Sequence, residues 1–146
     1  MVENPPPGYP RISPYLLYED ATAALAWLTT AFGFTERMHL TGADGSVAHA
    51  EIEMSGGVIM LGHPGADYQG PRRHGKICQL TSVYVDDVDA HFEHSKAAGA
   101  KILTEPKDEF YGDRCYRAED PEGHQWNFAQ HIKDVSPQEM QQSSDG

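Results

Sequence analysis

Apolar residues recur along this chain at two spacings. In short runs they fall at every second position and in two longer runs at every third or fourth, a pattern that predicts strands alternating with two amphipathic helices. Arg11 to Tyr18 alternates around Ile12, Tyr15 and Leu17 and predicts a strand. Asp20 can then cap a helix over 21–31, where Ala24, Leu25, Leu28, Ala31 and Phe32 form an apolar stripe closed by Gly33. Trp27, on the polar side of that stripe, marks a candidate subunit contact. Strands are predicted next at 35–40, 47–54 and 58–63, divided by the turn formers Gly42-Ala43-Asp44-Gly45 and Ser55-Gly56-Gly57. The first half reads β, α, β, β, β.

The second half repeats it. Tyr18, Asp20, Ala24 and Gly33 recur as Tyr84, Asp86, Ala90 and Gly99, all at an offset of 66 (84 − 18; 99 − 33). A strand is expected at 80–85, a helix at 88–98, a strand at 101–105, a loop at 107–112 and a hairpin over 114–131. Asp120-Pro121-Glu122-Gly123 fits a type I turn, with Asp first, Pro second and Gly fourth. After the turn Gln125, Asn127 and Ala129 point one way and Trp126 and Phe128 the other, so the aromatic face belongs under a helix and the polar face lines a solvated concavity. Residues 1–10, with four prolines, predict an extended arm, 11–65 a first module, 66–76 a linker, 77–131 a second module and 132–146 a polar, mobile tail.

At 146 residues this is one domain or two half-domains sharing a core. Lys and Arg number 11 against 22 Asp and Glu, and the resulting net charge of −11 argues against nucleic acid or an anionic membrane surface and favours a cationic ligand. With no long apolar run and no apolar core at the N-terminus, a cytoplasmic location is expected. Cys78 and Cys115 are expected to be free, buried thiols. Motifs for serine hydrolases, nucleotide triphosphatases and dinucleotide enzymes are missing.

The strand and helix phrase YVDDVDAHFEHSKAAGAKI, the hairpin YGDRCYRAEDPEGHQW and the tandem βαβββ order together resemble the vicinal oxygen chelate superfamily of glyoxalase I, extradiol dioxygenases and bleomycin-resistance proteins, over about residues 11–131. The hairpin is most similar to the PhnB-like group. The resemblance implies an α+β fold in which tandem βαβββ modules form a curved mixed sheet around a cleft, helices outside, commonly within a homodimer. In the metalloenzymes of that superfamily His and Glu from four strands hold a divalent metal. Here the matching positions are Ser13, Met60, Leu80 (or Gln79 one register away) and Asn127, none a usual ligand, so no metal and no cofactor is expected.

The candidate chemistry is therefore aromatic and polar. His49, Glu51 and Glu53 alternate along one strand, and His49 with Glu51 could act as base and orienting carboxylate. Tyr15, Tyr84, Tyr111 and Tyr116 are expected on cleft strands or the loop above them, where a phenol can stack a planar ligand and bond its edge. Arg114 lies beside Asp113, with which it can pair. Together with Ser13, Met60, Gln125 and Asn127 these form the expected ligand set. His91 and His94 read as helix surface, His124 as holding the hairpin or lining its mouth, and His39, His63, His74 and His131 have no partner at ligand spacing. The reading favoured is a metal-free binder of a small planar or cationic molecule, with a glyoxalase-type lyase or isomerase, using a displaced metal or the His49/Glu51 pair, as the alternative.

Overall fold

Two compact units, Met1–Lys76 and Ile77–Gly146, each carry one βαβββ module. The structure, a computed structural model, describes residues 2–145. In the first unit β1 (Tyr15–Leu17), α1 (Ala21–Ala31), β2 (Thr35–Thr41), β3 (Val47–Met54) and β4 (Gly57–Gly62) form a sheet of order β1-β4-β3-β2. Strand β1 runs parallel to β4 and the other pairs are antiparallel. A single turn, α2 (Pro71–His74), follows. The second unit has the same plan in β5 (Leu80–Tyr84), α3 (Val88–Ala97), β6 (Lys101–Asp108), β7 (Asp113–Glu119) and β8 (Gln125–His131), ordered β5-β8-β7-β6. The chain is thus α+β, with two tandem βαβββ modules.

Each helix starts on an aspartate. The Asp20 carboxylate accepts from Ala23 N–H at 3.0 Å and Asp87 does the same for Ala90 at 3.0 Å, each satisfying a donor that the first helical turn leaves open. The capping residues stand 67 apart (87 − 20), while Gly33 and Gly99, which stop the helices at positive φ, stand 66 apart (99 − 33). The repeat is therefore not constant in offset: α1 has 11 residues and α3 has 10, and the strands before them follow the larger spacing. The physical consequence is that Tyr18 and Tyr84 are not equivalent. Tyr18 is buried, whereas Tyr84 is exposed on the other face of its sheet.

Core packing follows the predicted stripes. Helix α1 buries Ala21, Ala24, Leu25, Leu28 and Ala31 over Leu16, Ala50, Ile52 and Leu61, leaving the far face of that sheet open. Helix α3 buries Val88, Phe92 and Ser95 over Tyr116, Ala118, Trp126 and Phe128. Full burial of one such apolar side chain is worth about 1.5–3 kcal/mol. Trp126 and Phe128 stack with planes 3° apart, and both are core as expected.

Four local expectations are corrected. β1 has only three residues, since Ile12 is exposed and the chain joins the sheet at Pro14, whose carbonyl accepts from Met60 N–H. β6 runs on to Asp108 through Pro106, because it is the edge strand, where a missing N–H is tolerated and register irregularities absorb the misfit. Where a tail without an element was expected, Pro137–Asp145 forms α4, with Ser136 Oγ accepting from Glu139 N–H. Cys78 is exposed and only Cys115 is buried.

Candidate functional site

The open face of the first sheet carries a chain of polar contacts built on β3. Period-two alternation puts His49, Glu51 and Glu53 opposite buried Ala50 and Ile52, and pairing sets Glu51 across from Met60 and His49 across from Gly62. Tyr15 Oη lies 2.8 Å from His49 Nδ1, and His49 Nε2 lies 3.0 Å from Glu51. An ionised carboxylate only accepts, so His49 donates through Nε2 to Glu51, and the remaining Nδ1 faces the Tyr15 hydroxyl. Gly62 makes room for this: a Cβ there would meet the Tyr15 ring at 2.7 Å.

The other oxygen of Glu51 is also engaged. Tyr9, from the N-terminal arm, donates its hydroxyl to Glu51 at 2.5 Å and has the Arg37 guanidinium carbon over its ring, 4.4 Å from the centre. Arg37 in turn donates to Glu53 at 2.9 Å and to the Gly8 carbonyl at 3.2 Å. Glu51 is only 6% exposed. Burial alone would raise its pKa, but hydrogen bonds from Tyr9 and His49 outweigh it and hold the carboxyl below its usual range. The same bond pushes the Tyr9 phenol above its ordinary value. Arg37 escaped sequence reasoning because it is the extra residue of a β-bulge between Glu36 and Met38, where simple alternation fails. The sign that was available is the basic residue itself, lying between strand residues of an acidic face.

In the second sheet the open face presents Leu80, Ser82 and Tyr84 from β5 beside Gln125 and Asn127 from β8. Thr81 is buried and pairs with the buried Trp126, so Leu80 and not Gln79 shares the open face. Asn127 donates to Ser82 Oγ at 3.1 Å. Tyr84 donates to Asp113 at 2.7 Å, and His131 bridges Asp113 at 2.7 Å and Asp134 at 2.8 Å. Those contacts give His131 two carboxylate partners that its spacing along the chain does not announce. Tyr111 lies 3.6 Å from Cys115 Sγ, and that contact together with burial pushes its phenol up to about 12.

The carboxylates of Asp134 and Asp113 raise the pKa of His131 above the ordinary 6.5. A raised pKa means that its stabilising contribution is complete below 6.5 and fades as pH climbs through the folded value. His131 ring resonances are accordingly expected to titrate above 6.5, and in Asp134→Asn to move down towards it. A midpoint at or below the ordinary value in the unaltered protein would contradict the bridge.

Two members of the expected ligand set face the wrong way. Tyr116 is fully buried behind the sheet, with its hydroxyl 2.8 Å from Ser95 Oγ and 2.5 Å from His91 Nδ1, and burial pushes it up to about 12. His91 is therefore a packing residue, 4.3 Å from the Phe128 ring, and not surface. Arg114 also leaves the open face, reaching Asp89 on α3 and Asp108 on β6, each at 3.0 Å. It does not pair with Asp113. Both residues lie on β7 at the parity of Ala118, which is buried, and the strand begins at Asp113, one residue before the hairpin was expected to start. Tyr15, His49, Glu51 and Met60 come together on the first sheet, with Ser13 just before β1, and Tyr84, Tyr111, Gln125 and Asn127 lie on or beside the open face of the second.

A divalent metal does not fit these faces. The positions matched to ligands carry a hydroxyl, a thioether, an alkyl group and an amide, and among the described residues no three His, Cys, Asp or Glu converge as a metal set. Behind the first sheet an open groove of about 510 Å³ runs between α1 and β2, past Leu25, Thr29 and His39. Its His39 and Glu36 bind each other at 3.0 Å, so it offers little converging chemistry.

Comparison with known proteins agrees with the geometry. Residues 11–128 match the model of the glyoxalase/bleomycin resistance protein/dioxygenase superfamily. An uncharacterized protein of Mycobacterium tuberculosis is 33% identical over 137 residues, covering 90% of this chain and 81% of its own. The crystal structure of TioX from Micromonospora sp. ML1 superposes with a TM-score of 0.70 at 36% identity, covering 84% of this chain and 99% of that one. The fosfomycin resistance protein FosX from Listeria monocytogenes shares the fold, with a TM-score of 0.62 at 16% identity over 90% of this chain and 97% of its own.

Proposed function

Because the chain belongs to the glyoxalase/bleomycin resistance protein/dioxygenase superfamily, we propose that it is a PhnB-like, metal-independent binder that sequesters a small planar or cationic molecule on an open sheet face, as a cytoplasmic homodimer. The observation that carries this reading is the pair of exposed, pre-oriented phenols. Tyr15 is 50% and Tyr84 63% exposed, yet each hydroxyl is tied down, to His49 and to Asp113. A ring held in one pose while its face stays open loses little freedom on stacking a planar ligand. The net charge of −11 adds attraction for a cation.

The Tyr15–His49–Glu51 relay favours a second reading, a lyase or isomerase in which that pair, or a displaced divalent metal, moves a proton. Against it, both ring nitrogens of His49 are already engaged, Nδ1 with Tyr15 and Nε2 with Glu51, so the imidazole has no unbonded nitrogen to take a substrate's proton.

A thermal-shift series with proflavine, a planar cation, and with zinc, nickel and manganese separates the two. A ligand at about 100 times its Kd stabilises the native state by about 2.7 kcal/mol, a shift on the order of 9 °C for a chain of this size. Proflavine is expected to give such a shift, and Gly62→Ala, which pushes the Tyr15 ring off His49, to at least halve it. One tightly bound metal per chain, with proflavine inert, would defeat the binder.

A further inference from the structure

We propose that Arg37 and Glu51 form a socket for a hydroxyaryl group and that Tyr9 of the N-terminal arm is its internal occupant. The inference rests on the reading of the open face as a ligand site and adds to the exposed phenols a separate socket for a neutral, planar, hydroxylated aromatic.

The socket is defined by what holds Tyr9. The Arg37 guanidinium carbon lies over its ring, 4.4 Å from the ring centre, and its hydroxyl donates to Glu51. These two contacts are a cation over the ring face and a buried acceptor at the spacing of a phenol. They select against the obvious competitors. A ring without a hydroxyl leaves the buried Glu51 oxygen unpaired, an arylcarboxylate is repelled by Glu51, and a cation loses at Arg37 what it gains at the carboxylate.

The fit of Tyr9 is incomplete. Arg37 Nε is buried without a hydrogen-bond partner and stands 3.9 Å from the Glu51 oxygen, too far to bond it. A phenol freed from the backbone can shift its oxygen to accept from Arg37 Nε while still donating to Glu51, since a hydroxyl does both. It would make one bond more than the tethered residue does. The arm is built to yield: residues 2–4 and 6–8 are exposed, and Gly8 contributes only its carbonyl to Arg37. Ligand entry and arm release are thus one exchange at one carboxylate.

The test uses the full chain, amide NMR spectra and three probes: p-cresol, toluene and p-toluate. Saturating p-cresol should shift the Gly8 and Tyr9 amides of the unaltered protein as the arm leaves. Tyr9→Ala should bind p-cresol at least tenfold more tightly than the unaltered protein, with toluene and p-toluate each at least tenfold weaker, and Glu51→Gln should lose that preference. Equal binding of p-cresol and toluene, or no gain in Tyr9→Ala, overturns the socket. Should that variant not fold, the unaltered protein decides alone: Gly8 and Tyr9 amides that stay in place at the highest soluble p-cresol overturn it. If proflavine still raises the melting temperature when p-cresol fails, only the socket falls; if neither binds, the wider reading falls with it.

Discussion

Asp120→Ala is expected to cost the second unit about 3 kcal/mol and to leave Trp126 without its polar anchor. Asp120 is 4% exposed, and its carboxylate accepts from Glu122 N–H at 3.0 Å, His124 N–H at 3.1 Å and Trp126 Nε1–H at 3.2 Å. Alanine removes the acceptor of all three bonds. Water can reach the donors of the turn, but Trp126 is 0% exposed, and a buried donor left unmade costs about 1–3 kcal/mol. Asparagine keeps one acceptor and presents an amide to the remaining donors, so Asp120→Asn should fall between. Urea unfolding followed by tryptophan fluorescence measures the loss. A cost below about 1 kcal/mol would mean that the turn is held by its backbone bonds alone, Gly123 N–H to Asp120 and Asp120 N–H to His124.

Gly112→Ala should be comparably damaging and should reach the candidate site. Gly112 has φ +97°, where a side chain is strained, and a Cβ would sit 1.9 Å from the Lys133 carbonyl oxygen. Since that neighbour is backbone, the segment after β8 must move. Strain of about 1–2 kcal/mol together with displacement gives a loss of roughly 2–4 kcal/mol. The Gly112 carbonyl also accepts from Ile132 and Lys133 N–H, so the displaced segment carries His131 and Asp134 with it. Two readouts should change together: the unfolding midpoint drops, and the His131 titration falls back towards 6.5. A lower midpoint with the titration unmoved would separate the glycine from the Asp113–His131–Asp134 bridge.

Local chemistry made much of this molecule legible beforehand. Periodicity located every strand and both long helices, because burying one face of a strand or helix imposes spacings of two or 3.6 on the apolar residues. The Asp-Pro-Glu-Gly turn was readable because each residue answers a backbone requirement of its own position. The alternation of His49, Glu51 and Glu53 likewise placed them on one face. Where reasoning stopped at a strand's edge it failed. Pro106 ended a strand too early on paper, since whether a missing N–H matters depends on having a neighbour, and β6 has none on that side. Sequence reasoning sets Tyr116 and Arg114 on the open face because aromatic and basic residues near a polar loop suit a ligand, and only strand parity within the folded sheet tells front from back.

The sequence by itself determined the module and its repetition, the caps, the turn and which strand residues alternate, all of which depend on neighbours within a few positions. Tertiary structure decided the rest. It brought Tyr9 to Glu51, 42 positions away, turned Arg37 inward through a bulge, and suspended His131 between Asp113 and Asp134. Hydrogen bonds of that kind depend on distances of about 3 Å between groups far apart in the chain, and no spacing along the polymer encodes them.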